Sequence, residues 1–145
     1  MESMSIVGRW KLISLNAENP EGDLKYPYGE DPFGMLMYDA EGYMFGLVMR
    51  PGRTKFTSGD MMGGTPEEIK EAFEKFEAYC GTYEVDEEKK TITHHVEAAR
   101  FPNFEGADQP FFFEFFANRL IIKSQPIPAL GTEWVVSLMW ERPTN

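Results

Sequence analysis

The sequence predicts an all-β protein: an eight-stranded antiparallel up-and-down barrel with one α-helix between its third and fourth strands. Three observations carry that reading. Apolar and β-branched runs recur eight times at strand length. The connections between them alternate strictly between short and long. The first run carries Gly8-Arg9-Trp10 and the last ends in Trp140-Glu141-Arg142, at positions such a barrel brings together. In an eight-stranded meander alternate connections lie on opposite rims, so the short ones close one end and the long ones decorate the other.

The first run spans 7–17, with Trp10, Leu12 and Ser14 on one face and Ile13 and Leu15 on the outward one, open to a protein partner or to the helix. A long connection, 18–32, holds Tyr26 and Tyr28, which either line the barrel mouth or staple the loop to the rim. Runs 33–39 and 43–50 flank the turn Asp39-Ala40-Glu41-Gly42, where Gly42 suits a positive φ. Tyr43, Phe45, Leu47 and Met49 share one face of the third strand and are expected to line the lumen. Residues 54–64, with Gly59, Gly63, Gly64, Met61 and Met62, read either as a plain connector or as a mobile apolar lid.

A helix is expected over 66–79, with Thr65 as N-cap, Pro66 at its first position and Glu67 and Glu68 in its first turn. Ile69, Ala72, Phe73, Phe76 and Cys80 form its apolar stripe. Strands over 81–86 and 91–99 follow, joined by a charged turn; Tyr83 and Val85 face inward on the one, and Ile92, His94, Val96 and Ala98 on the other. After a long connection, 100–109, runs 110–117 and 119–124 meet at Ala117-Asn118. A last long connection, 125–131, leads to the run 132–142, which aligns Trp134, Val136, Leu138, Trp140 and Arg142 on one face.

At 145 residues the chain suits a single domain, 1–145, able to bury about 70% of the surface its unfolded form exposes. A formal charge of -10 without a cluster of Lys or Arg disfavours nucleic acid and anionic membrane surfaces. No run of 18 apolar residues argues for membrane insertion, and Met1-Glu2-Ser3-Met4-Ser5 lacks a basic start and apolar core, so a cytoplasmic location is expected. The single Cys80 cannot form an internal disulfide and reads as a small buried hydrophobe. Phosphate loops, dinucleotide fingerprints and spaced metal ligands are missing, so no cofactor and no metal are expected. Adjacent His94 and His95 point to opposite faces of a strand and cannot chelate one ion. A homo-oligomer is compatible with the chain, but nothing in it predicts one.

An ordered series of short motifs runs through nearly the whole chain. It comprises Gly8-Arg9-Trp10-Lys11-Leu12, Tyr26-Pro27-Tyr28-Gly29-Glu30-Asp31-Pro32, Gly42-Tyr43-Met44, Arg50-Pro51, Ser58-Gly59-Asp60, Thr65-Pro66-Glu67-Glu68, Gly81-Thr82-Tyr83-Glu84-Val85-Asp86, Thr93-His94-His95-Val96-Glu97, Pro102-Asn103 and Trp140-Glu141-Arg142. In this series the chain resembles the lipocalin-like domain family of bacteria and fungi, a branch of the calycin barrels. The resemblance implies a calycin barrel with an apolar cavity and implies no particular reaction.

A barrel of eight strands holds either packed side chains or one small ligand. The ligand expected here is a small apolar or aromatic molecule, contacted by Tyr43, Phe45, Leu47, Met49, Tyr83, His94, Phe113, Trp134 and Leu138. His94 on an apolar face is either a hydrogen-bonded wall residue or, kept neutral by desolvation, an anchor or base. Glu114, alone within Phe111-Phe112-Phe113-Glu114-Phe115-Phe116, is either an outer solubilising charge or an inward proton donor. Two functions follow: a binding module, or a cofactor-independent isomerase, cyclase or lyase in which His94 or Glu114 moves a proton. Trp10 and Arg142 read as a structural plug, with the cation stacked on the indole.

Overall fold

Ten strands and one helix follow one another along the chain in a computed structural model that describes residues 5–143. Met1-Glu2-Ser3-Met4, read above for a leader, lies outside the described residues. The elements are β1 (Gly8–Glu18), β2 (Leu24–Lys25), β3 (Phe33–Tyr38), β4 (Tyr43–Met49), α1 (Pro66–Glu74), β5 (Phe76–Asp86), β6 (Thr91–Ala99), β7 (Asp108–Phe116), β8 (Arg119–Ser124), β9 (Ile127–Ala129) and β10 (Thr132–Glu141). Eight of them, β1-β3-β4-β5-β6-β7-β8-β10, form an antiparallel ring that closes where β1 pairs with β10. The remaining two are short: β2 pairs with the end of β1 and β9 with the start of β10, both on the rim of long connections.

The helix is shorter than the sequence predicts. It runs nine residues, Pro66–Glu74, and Phe76 already opens β5, which extends 11 residues. Phe76, Ala78 and Cys80 satisfy a two-residue period as well as a helical stripe, and pairing with Met49, Leu47 and Phe45 of β4 selects the strand. Cys80 therefore sits half-buried in β5 between Phe45 and Ala98, not buried beside the helix. The helix start follows its signals: Glu68 N donates to Thr65 Oγ1 (3.2 Å) and Thr65 N to Glu68 Oε1 (2.8 Å).

The loop before the helix is tied to α1, with Thr57 N donating to Glu68 Oε2 and Thr54 N to Glu71 Oε1. Met61 and Met62 are 89% and 90% exposed, so this segment is no apolar lid over the mouth.

Two bulges reset which residues face inward. In β1, Leu12 pairs with Trp140 but Ser14 with Met139, so Ile13 is an extra residue. Trp10 and Leu12 face inward before it, Leu15 and Ala17 after it, and Leu15 is buried rather than outward. In β6, Glu97 is extra between Val96, which pairs with Gly81, and Ala98, which pairs with Cys80. Only glycine fits at position 81, because a Cβ there would lie 1.9 Å from the His95 carbonyl oxygen. Beyond the bulge Ala98 is exposed rather than inward.

The closed end is packed solid. Ile6, Trp10, Tyr38, Ile92, Phe113, Leu120 and Trp140 are all buried there or just above it. Trp10 Nε1 donates to Ile6 O at 2.8 Å. The Arg142 guanidinium lies 4.1 Å from the Trp10 ring centre and donates to Val7 O (2.9 Å) and Ser5 O. The floor is sealed by both ends of the described chain.

Candidate ligand-binding cavity

Above that floor the barrel encloses a cavity of about 580 Å³ that opens at the rim of long connections. Its walls come from alternate inward residues: Leu15 and Ala17 of β1, Met44, Gly46 and Val48 of β4, and Trp134, Val136, Leu138 and Trp140 of β10. Tyr79, His94, Phe111 and Ile122 complete the far side. The period-2 alternation of each strand sends these side chains to one surface, and the first bulge keeps β1 in step.

His94 is the polar centre of this wall. It is 2% exposed, and its two ring nitrogens meet two phenols: Nε2 lies 2.6 Å from Tyr38 Oη and Nδ1 lies 2.5 Å from Tyr79 Oη. Burial, and secondarily the neighbouring His95, lowers its pKa to about 3, so the ring is neutral at physiological pH. Desolvation likewise raises both phenols, Tyr38 well above its ordinary value, and keeps them protonated. The cluster is therefore an uncharged Tyr-His-Tyr chain in which each His94 ring nitrogen has a phenol partner.

The mouth is held by an ion pair. Arg100 Nη2 and Nε donate to Glu77 Oε2 at 2.6 and 3.1 Å, and Arg100 Nη1 donates to Phe73 O at 2.9 Å. The guanidinium also stacks 3.9 Å from the centre of the Phe73 ring. This fastens the end of α1, the start of β5 and the connection after β6 into one rim. Tyr28 packs beside the pair, its pKa raised by burial and then by Glu77, so it lines the mouth.

Comparison with known proteins places this architecture. The lipocalin-like domain matches residues 7–143, nearly the whole chain. The chain belongs to the lipocalin-like domain family. A relative in that comparison is the 4'-hydroxy-3'-methoxypropiophenone carrier protein of Aspergillus oryzae, 27% identical over 106 residues, which cover 68% of this chain and 96% of the relative. No solved structure matches the chain significantly. A lipocalin-like barrel, its cavity and a relative named as a carrier together support the binding of a small molecule. No helix among the described residues is long and apolar enough to cross a membrane.

The lipocalin-like barrel distributes the sequence-derived residues unevenly. His94, Leu47, Trp134 and Leu138 lie on the cavity wall. Tyr43 and Phe45 do not: they are 55% and 48% exposed on the outer face, because Met44, Gly46 and Val48 are the inward set of β4. Met49 shares the outward parity and is half-buried, pairing with Phe76 and Phe33.

Tyr83 lies below the cavity, with its Oη donating to Asp39 O (2.5 Å) and its ring edge-on to Tyr38 at 4.7 Å. Phe113 is buried in the core beside Phe115, which meets Trp10. Glu114 is exposed on the outer face, where its carboxylate is solvated and cannot serve the lumen. The sequence reading missed Tyr38 and Tyr79. Tyr79 shares the parity of Gly81, Tyr83 and Val85, and extending that strand backwards by two residues would have found it.

Proposed function

We propose that this protein binds and carries a small, mainly apolar aromatic molecule that enters the barrel through its open rim. The observation that carries this reading is the cavity of about 580 Å³ walled by Trp134, Trp140, Phe111 and Leu138. Small-molecule sites typically measure about 300–1,000 Å³ and combine apolar walls with a few placed polar groups. The relative's name supports the same class, since the compound it names is an aryl ketone, an aromatic ring with a hydroxyl, a methoxy and a carbonyl oxygen on a short alkyl chain.

An enzyme acting by proton transfer is less well supported. Of the two residues considered for proton transfer, Glu114 stands on the outer face, which leaves His94. A ring whose pKa is about 3 is a weak base, and loading a proton onto it at pH 7 costs about 5 kcal/mol. A carrier requires only that His94 stay neutral and hydrogen-bonded.

The test is titration with 4'-hydroxy-3'-methoxypropiophenone, read by tryptophan fluorescence, because Trp134 and Trp140 line the cavity. A saturable one-to-one change is expected, with the compound recovered unchanged. Filling the lumen by Ala17→Phe should abolish it. No saturable signal, or an equal one in the filled variant, refutes the carrier reading; conversion of the compound that disappears in His94→Gln replaces it with the enzyme.

A further inference from the structure

The two phenols that flank His94 are not equivalent. Tyr38 is 2% exposed, and His94 is the one hydrogen-bond partner of its hydroxyl among the described residues. Tyr79 forms part of the cavity wall and Tyr38 does not. A neutral imidazole donates from one nitrogen and accepts at the other, so the chain of three can run in only two directions. If Nε2 carried the hydrogen, Tyr38 would accept it, and the Tyr38 hydroxyl proton would be stranded in the core without a partner. Stranding a buried donor forfeits its full desolvation penalty. If Nδ1 carries the hydrogen, Tyr38 donates to Nε2, Nδ1 donates to Tyr79 Oη, and the Tyr79 hydroxyl proton is left to face the cavity.

We propose that the buried Tyr38 sets the direction of this chain, so that Tyr79 presents a fixed hydrogen-bond donor to the lumen and the site selects aromatic ligands bearing an acceptor oxygen. This rests on the carrier reading and narrows its ligand class to ketones, esters and ethers, ahead of hydrocarbons of the same shape. Several other polar groups of the wall are engaged: Ser124 Oγ accepts from Val136 N, the Arg100 guanidinium is held by Glu77, and Trp134 Nε1 donates to Ala129 O. Lys25, Tyr28, Gln109 and Trp140, whose buried Nε1 has no partner among the described residues, also lie on the wall; Tyr79 differs from them in that its donor direction is fixed by the chain behind it. Tyr79 touches the ligand; His94 and Tyr38 are positioning residues.

Two measurements test this. Nitrogen NMR of the histidine rings in the wild-type protein reports the tautomer directly: His94 protonated at Nδ1 is expected, and protonation at Nε2 overturns the proposal whether or not any ligand binds. Affinities for propiophenone and propylbenzene, which share a carbon skeleton and carry a carbonyl and a methylene respectively at the benzylic position, then read the donor. Tyr79→Phe should weaken propiophenone roughly three- to tenfold while changing propylbenzene by less than about twofold.

Tyr38→Phe touches no ligand, yet it should shrink the same preference, because no hydroxyl then fixes the direction of the chain and Tyr79 can also donate to Nδ1. Comparing the two compounds within each variant cancels any general loss of stability. Equal affinities in the wild type, or a preference for propiophenone that survives Tyr79→Phe, overturn the proposal and leave the carrier reading standing. Failure of both compounds and of the hydroxy-methoxy ketone to bind overturns both.

Discussion

At the scale of single residues, adjacent histidines answer oppositely to acid. His94 has a folded pKa of about 3, below the roughly 6.5 of an unfolded chain. Its contribution to stability is therefore complete above about pH 6.5 and is lost as pH falls toward 3, at up to about 1.4 kcal/mol per pH unit. His95 stands on the outer face, where the Asp108 carboxylate (2.7 Å) and then Glu84 (3.5 Å) raise its pKa, so its contribution is present below pH 6.5 and lost as pH rises through the raised value. Solvent and salt screen that exposed pair. Urea unfolding should find His94→Gln less stable than wild type at pH 7, with a shallower fall in stability between pH 6.5 and 4; parallel curves would refute burial of a neutral ring. Parity alone separates the two histidines in the sequence, since Ile92, His94 and Val96 alternate with polar residues. The phenols that hold His94 are not readable that way, because Tyr38 ends a strand and Tyr79 lies within the helix predicted over 66–79.

At the scale of elements, register is legible only where a strand has one polar face. On β10, and on β6 as far as the bulge at Glu97, the inward residues follow from alternation. On β4 both faces are apolar: Tyr43, Phe45, Leu47 and Met49 alternate with Met44, Gly46 and Val48, so nothing in the pattern marks the lumen. The Ile13 bulge is invisible to a period of two for a related reason, since Leu12, Ile13 and Leu15 are all apolar and either register of the strand buries apolar residues.

The second bulge carries its own test. Gly81→Ala forces a Cβ against the His95 carbonyl and should cost at least roughly 1–3 kcal/mol, because backbone cannot yield as a side-chain tip does. Gly42→Ala, at φ +100° with nothing within 4 Å of the added carbon, meets torsional strain alone and should cost about 1 kcal/mol. Chemical denaturation of the two variants ranks them, and a milder Gly81 variant would show that the bulge is pliable.

At the scale of the whole molecule, the alternation of short and long connections was enough to read the barrel, because chain connectivity in a meander fixes which loops share a rim. It also told the floor from the mouth. The short rim strands β2 and β9 were not readable, being too brief to show any period. Arg142 ties the last strand to Trp10, Val7 and Ser5, on the side away from the cavity. Arg142→Ala should lower the melting temperature by about 2–6 °C. Ligand affinity should stay nearly unchanged, and an affinity loss at constant melting temperature would refute the separation of floor from site.

That sealed floor also constrains kinetics. With one doorway among the described residues, a bound molecule leaves by the route it entered, and a second molecule cannot push the first out from behind. Exchange is dissociative: the residence time of one occupant is set by the rim and by its own contacts with the wall, however concentrated its competitor.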